Sequence, residues 1–102
     1  MDQPVCSRSV TITNPAGLHL RPAGLLARRA ADFQATIEIV KDDQRVDGKS
    51  VLSLTSLGLE QGSTITIVAT GDDSQAAVDA LVALIEQDFG REAAENQGGN
   101  NH

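Results

Sequence analysis

The sequence predicts an α+β fold in which an antiparallel sheet carries three helices on one face and leaves the other face to water. Two patterns and one length support this. The strand segments alternate aliphatic residues with Thr or Ser, so each has one apolar and one hydroxyl-rich side. Between and after them lie segments whose apolar residues recur every three or four positions, the period of a helix. The 102 residues suit one compact unit, expected over residues 1–90 and followed by a tail over 91–102.

The first strand is read where Val10 and Ile12 alternate with Ser9, Thr11 and Thr13. Asn14-Pro15-Ala16-Gly17 breaks it. A helix is predicted from about Leu20 to Asp32 on the stripe Ala23, Leu26, Ala30 and Phe33. Pro22 suits its first turn, where a backbone N–H has no intrahelical partner. A second strand sets Ile37 and Ile39 opposite Thr36 and Glu38. The polar turn Lys41–Gln44 leads to a short third strand at Arg45-Val46, which Asp47-Gly48 ends.

A short helix is predicted from about Ser50 to Leu57, with Gly58 as its C-terminal cap. Gln61-Gly62 turns the chain into a fourth strand, Thr64–Thr70, with Ile65, Ile67 and Ala69 on one face. Asp72, Asp73 and Ser74 are N-cap candidates for a final helix. Its stripe is Val78, Leu81, Val82, Ile85 and Phe89. The order is β-α-β-β-α-β-α. Arg91–His102 is polar, has no apolar period and is expected to be disordered.

Composition narrows the function. A formal net charge of −6 argues against nucleic acid as the partner, because phosphate neutralisation needs a basic footprint. Phe33 and Phe89 are the only aromatics, which leaves no stacking platform for bases. The charge is uneven. Residues 1–34 hold Arg8, Arg21, Arg28 and Arg29 against Asp2 and Asp32, whereas the remainder has four basic and twelve acidic side chains. The single Cys6 permits neither an internal disulfide nor a Cys-based metal site, and near the chain start it reads as incidental. Without a visible signal peptide or an apolar run of membrane-spanning length, a cytoplasmic protein is expected.

The informative segment is Gly17-Leu18-His19-Leu20-Arg21-Pro22-Ala23, which sets a histidine where a loop becomes a helix. The first amides of a helix lack partners and carry partial positive charge. Leu20, Arg21 and Ala23 are the expected amide donors, and the Arg21 guanidinium completes a place for an anion beside the imidazole. A neutral imidazole keeps a nitrogen lone pair able to attack phosphorus. Transient phosphorylation of His19 suits this arrangement, and so, on the residues alone, does the plainer role of an exposed polar helix cap.

This segment resembles the active-site signature of HPr, the histidine-containing phosphocarrier of the bacterial phosphoenolpyruvate-dependent phosphotransferase system. Gly48-Lys49-Ser50 with Ser56-Leu57-Gly58-Leu59 resembles the motif around that family's regulatory serine. Gln61–Ile67 and Gly71–Glu86 resemble its last strand and helix, so the likeness runs from about residue 8 to 89. The resemblance implies an open-faced β-sandwich with strand order 1-4-2-3, which the alternation pattern alone does not supply.

The resemblance also implies roles. His19 would accept a phosphoryl group on Nδ1 from phosphorylated Enzyme I and pass it to an Enzyme IIA, with Arg21 neutralising the phosphoryl oxygens. Ser50, a good helix N-cap in its own right, would be the target of an HPr kinase/phosphorylase where one exists. Leu20, Arg28, Val51, Leu52 and Thr55 would face partners. No cofactor, metal or membrane insertion is implied, and a monomer is expected. Two positions depart from the family pattern: Ala16 stands where Asn or Ser is usual, and Leu20 where Thr or Ala is usual. Both bear on the phosphate lifetime and neither removes the nucleophile.

Other readings are weaker. A purely regulatory binding module would use Ser50 and the second helix, and His19 counts against it. A small acylphosphatase-like hydrolase would need a water-positioning loop motif that the sequence lacks. Asp43 stands where a P-loop ending in Gly48-Lys49-Ser50 needs its first glycine.

Overall fold

A computed structural model describes residues 3–87. The alternating segments form strands β1 (Val5–Thr11), β2 (Thr36–Lys41), β3 (Gln44–Asp47) and β4 (Thr64–Thr70). The periodic segments form helices α1 (Leu20–Ala30), α2 (Val51–Ser56) and α3 (Ser74–Glu86). The four strands make one antiparallel sheet in the order β1-β4-β2-β3, as the family resemblance implied.

Strand β4 sits inside the sheet because both of its edges find partners. Its register sets Ile65 opposite Val10 of β1 and Ile67 opposite Ile39 of β2, so one face becomes a continuous aliphatic surface. Ser9 and Thr11 of β1 meet Thr66 and Thr64 through hydroxyl pairs at 3.2 Å on the opposite, open face. The three helices cover the apolar face. Leu26, Leu54, Val78, Leu81 and Ile85 are fully buried beneath them. Each such side chain contributes about 1.5–3 kcal/mol relative to leaving it exposed. Val78, Leu81, Val82 and Ile85 of the expected α3 stripe are buried; Phe89 and the tail expected over 91–102 lie outside the described residues.

Three details differ from the sequence reading. Helix α1 stops at Ala30, two residues short, and Arg29 turns to pair with Asp32 at 2.7 Å. Strand β1 starts at Val5, so Cys6 lies within the sheet and is half-buried; its thiol donates to Gln75 Oε1 and accepts from Ser74 Oγ, both at 3.4 Å. The early part of β1 escaped the pattern because Arg8, on the helix side of the strand, is charged and exposed and meets Asp79 of α3 at 3.6 Å. Asp73 occupies the N-cap position of α3, yet its carboxylate does not cap that helix. It accepts the backbone N–H groups of Gln34 and Ala35, each at 2.8 Å, and so clamps the α1–β2 connection to the start of α3.

These contacts set the direction of the helices. Helix α3 runs alongside β1, with Gln75 beside Cys6 and Asp79 beside Arg8. Its N-terminus is tied to the end of α1 through Asp73, and α1 packs against both α2 and α3. The C-terminus of α3 therefore lies at the same end of the molecule as the N-terminus of α1.

The Gln34 amide, followed by that of Ala35, holds the Asp73 carboxyl below its ordinary value of 3.8. A depressed carboxyl stabilises the fold fully above the unfolded-state pKa, and that contribution is lost as pH falls through the folded value. Thermal unfolding of the wild type should therefore weaken on acidification below about pH 4, while Asp73→Asn should start lower and lose this component of the slope. Parallel slopes for the two proteins would show that Asp73 carries no linkage.

Candidate functional site

Helix α1 starts where it does because the preceding loop is held on its inner side. Asn14 makes a turn, its side-chain oxygen accepting the Ala16 N–H and its carbonyl the Gly17 N–H, both at 2.9 Å. Gly17 has φ +74°, and a Cβ there would stand 2.4 Å from the Leu59 carbonyl oxygen. No residue with a side chain fits that space. Leu18 follows, 3% exposed, and donates its N–H to the same Leu59 carbonyl at 3.1 Å.

Once Leu18 is buried, the chain turns outward at His19. This residue is the N-cap of α1, with extended backbone and an exposed side chain. Its carbonyl accepts the Ala23 N–H at 2.9 Å and closes the first turn, while its imidazole makes no capping bond. The main chain of His19 is structural, and its ring has no hydrogen-bond partner among the described residues.

The expected anion site is smaller than the sequence suggested. Ala23 has already given its amide to His19, so the first-turn donors without a partner among the described residues are those of Leu20 and Arg21, Pro22 having none. Arg21 is exposed at this helix start. Among the described residues, Arg8, Arg29, Lys41 and Arg45 pair with carboxylates, and Lys49 donates Nζ to the Phe33 carbonyl at 2.8 Å. Arg21 and Arg28 have no carboxylate within 4.0 Å among those residues. Seven positions apart on α1, they share one side of the helix. No acidic residue stands in the first turn of α1.

Helix α2 lies beside α1. Ser50 is its N-cap: Oγ accepts the Ser53 N–H at 3.2 Å and the carbonyl accepts the Leu54 N–H at 3.0 Å. Gly58, at φ +61°, follows the C-cap Leu57 in the left-handed conformation that ends a helix. Leu54 and Leu57 turn into the core, whereas Leu52 is 79% exposed and Leu20 of α1 is 66% exposed. Thr55 is half-buried and spends its hydroxyl on the Leu52 carbonyl at 3.0 Å. Arg28 and Val51 line one shallow concavity between the helices, together with Gly24 and Lys49.

Sequence reasoning assigned no role to Lys49 or Gly24. Only the approach of the two helices reveals their common surface, although Lys49 does flank Ser50 in the chain. Gly48, the other member of the apparent P-loop ending, packs against Ile37, where a Cβ would stand 2.7 Å from its Cγ2 atom.

An open-faced sheet under three helices, with an uncommitted exposed imidazole at a helix start, defines a small α+β protein suited to handling anions on its surface. Comparison with known proteins makes this specific. Residues 6–87 match the family described as PTS HPr component phosphorylation site. The phosphocarrier protein NPr of Shewanella violacea is 44% identical over 82 residues, covering 80% of this chain and 90% of that protein. The phosphoryl donor subunit DhaM of the PEP-dependent dihydroxyacetone kinase of Providencia stuartii is 43% identical over 79 residues, but the match spans only 17% of its length. The crystal structure of HPr-C-His from Thermoanaerobacter tengcongensis superposes with a TM-score of 0.80 at 40% identity, covering 82% of this chain and 94% of that one. The chain belongs to the HPr family of the phosphotransferase system.

The loop geometry carries a direct expectation. Gly17→Ala should destabilise the fold by more than about 1 kcal/mol, because the new residue must hold a positive φ and also displace the Leu59–Glu60 backbone. Its melting temperature should fall, with the largest amide shifts at Leu18 and His19. An unchanged melting temperature would remove this contact as the determinant of the loop.

Proposed function

We propose that the protein is a phosphocarrier that accepts a phosphoryl group on Nδ1 of His19 from phosphorylated Enzyme I and gives it to an Enzyme IIA. The observation that carries this reading is the uncommitted, exposed His19 ring at the start of α1. The lone pair of a neutral ring attacks phosphorus, the new N–P bond forms as the donor's bond breaks, and onward transfer repeats the exchange in reverse. The Leu20 and Arg21 amides and the Arg21 guanidinium offset the charge on the phosphoryl oxygens. Neither metal nor cofactor enters the step.

Leu20 and Leu52 supply exposed apolar area for docking, with Arg28, Val51 and Thr55 on the neighbouring surface of α1 and α2. We assign the protein to the cytoplasm as a monomer. Among the described residues no helix is long and apolar enough to cross a membrane. Sugar uptake is the pathway of this proposal, and the NPr relative names a related carrier.

Incubation with Enzyme I, Mg²⁺ and labelled phosphoenolpyruvate should place an acid-labile, base-stable label on the wild type and none on His19→Ala. An unlabelled wild type beside a competent cognate Enzyme I would overturn the reading.

Ser50 is proposed as a regulatory target of an HPr kinase/phosphorylase. Its hydroxyl caps α2 beside the exposed Leu52, so a phosphate there would add nearly two negative charges to the docking surface. Ser50→Ala should lose about 1 kcal/mol of stability with the cap and take no label from a cognate kinase and ATP. Equal labelling of both proteins would exclude Ser50 as the target.

A further inference from the structure

Of the glycines among the described residues, all but one are required by the fold. Gly17, Gly58, Gly62 and Gly71 have positive φ, and a Cβ on Gly48 would stand 2.7 Å from Cγ2 of Ile37. Gly24 is the exception. It is an interior residue of α1, its backbone is helical, and a Cβ there would meet nothing within 4 Å. A glycine inside a helix is destabilising relative to alanine, because it loses more chain entropy on folding. The chain thus gives up stability at a position where its own packing would accept a side chain.

The space left open belongs to the concavity between α1 and α2, about 290 Å³, which Gly24 lines with Arg28, Lys49 and Val51. Spacings of four put Gly24 between the exposed Leu20 and Arg28 on one side of α1. The volume lies at the lower limit for small-molecule pockets, and the concavity is shallow, so it suits an inserted side chain better than a free metabolite. Its floor is aliphatic at Val51. Its rim is cationic, and no carboxylate among the described residues lines it. Lys49 spends its Nζ on the Phe33 carbonyl, whereas Arg28 has no carboxylate within 4.0 Å among those residues. An apolar side chain with an acidic neighbour satisfies both parts. A phosphoryl donor must reach His19, which precedes Gly24 by about 7 Å along the helix axis, and so passes over this gap.

We propose that Gly24 is a specificity-determining residue: the gap left by its missing side chain receives one apolar side chain of the phosphoryl donor, whose acidic neighbour meets Arg28. The inference rests on the phosphocarrier reading and adds the shape of the contact to it. Gly24 touches no reacting atom. Filling the gap therefore acts on docking and leaves the transfer step at His19 unchanged.

Gly24→Ala and Gly24→Gln form a graded test, since both residues are better helix formers than glycine. Melting temperatures should rise by about 4 °C in each variant. The KM for the carrier in phosphorylation by Enzyme I should nevertheless increase, about tenfold for Gln and less for Ala, with kcat within about twofold of the wild type. A purely structural glycine would not separate stability from KM in this way. A melting temperature that falls, a KM unchanged in both variants, or a loss confined to kcat would each overturn the proposal. A wild type that takes no phosphoryl group overturns the carrier reading as well, whereas a phosphorylated wild type beside variants of unchanged KM overturns only the role of Gly24.

Discussion

The close approach of Gly17 to the Leu59–Glu60 backbone joins three parts of the chain that are distant in sequence: the loop after β1, the start of α1 and the segment leading from α2 into β4. Because the Leu59 carbonyl also accepts the Leu18 N–H, the loop cannot slide relative to the sheet without breaking a hydrogen bond and exposing Leu18. The next residue must then turn outward. The exposed placement of the His19 ring thus follows from a packing requirement two residues earlier. A flexible loop would place the same histidine at many positions and lose the helix-start amides as neighbours.

Electrostatics follows from this placement. Most cations of the described chain are engaged with carboxylates or a carbonyl, which leaves Arg21 and Arg28 available on one side of α1. No acid stands in the first turn of that helix, where an acid would ordinarily be favourable. The helix therefore forgoes a small stabilisation at its start and keeps an unfilled positive end. For a protein of net charge −6, the distribution of charge matters more than its sum.

The Asp73 clamp shows how a polar residue read locally acts at long range. Its position ahead of an apolar stripe marks a helix start, and α3 does begin there. Its carboxylate nevertheless serves Gln34 and Ala35, nearly forty positions away, because the packing of α1 beside α3 brings those amides within 2.8 Å. Cys6 teaches the same lesson. Its place near the chain start suggested an incidental thiol, and pairing with Ala69 of β4 makes it part of the sheet.

Alternation and helical period in the sequence determined the order of the seven elements, the single apolar face of the sheet and the helix start at which His19 stands. These are local properties, since side-chain direction repeats every two residues in a strand and every 3.6 in a helix. Ser50 as a cap and Gly58 as a stop were legible for the same reason. Tertiary structure alone decided that Arg21 and Arg28 stay unpaired among the described residues while other basic groups do not, and that α1 starts where α3 ends. Each depends on which groups meet across the fold, and no residue's own sequence neighbours specify that.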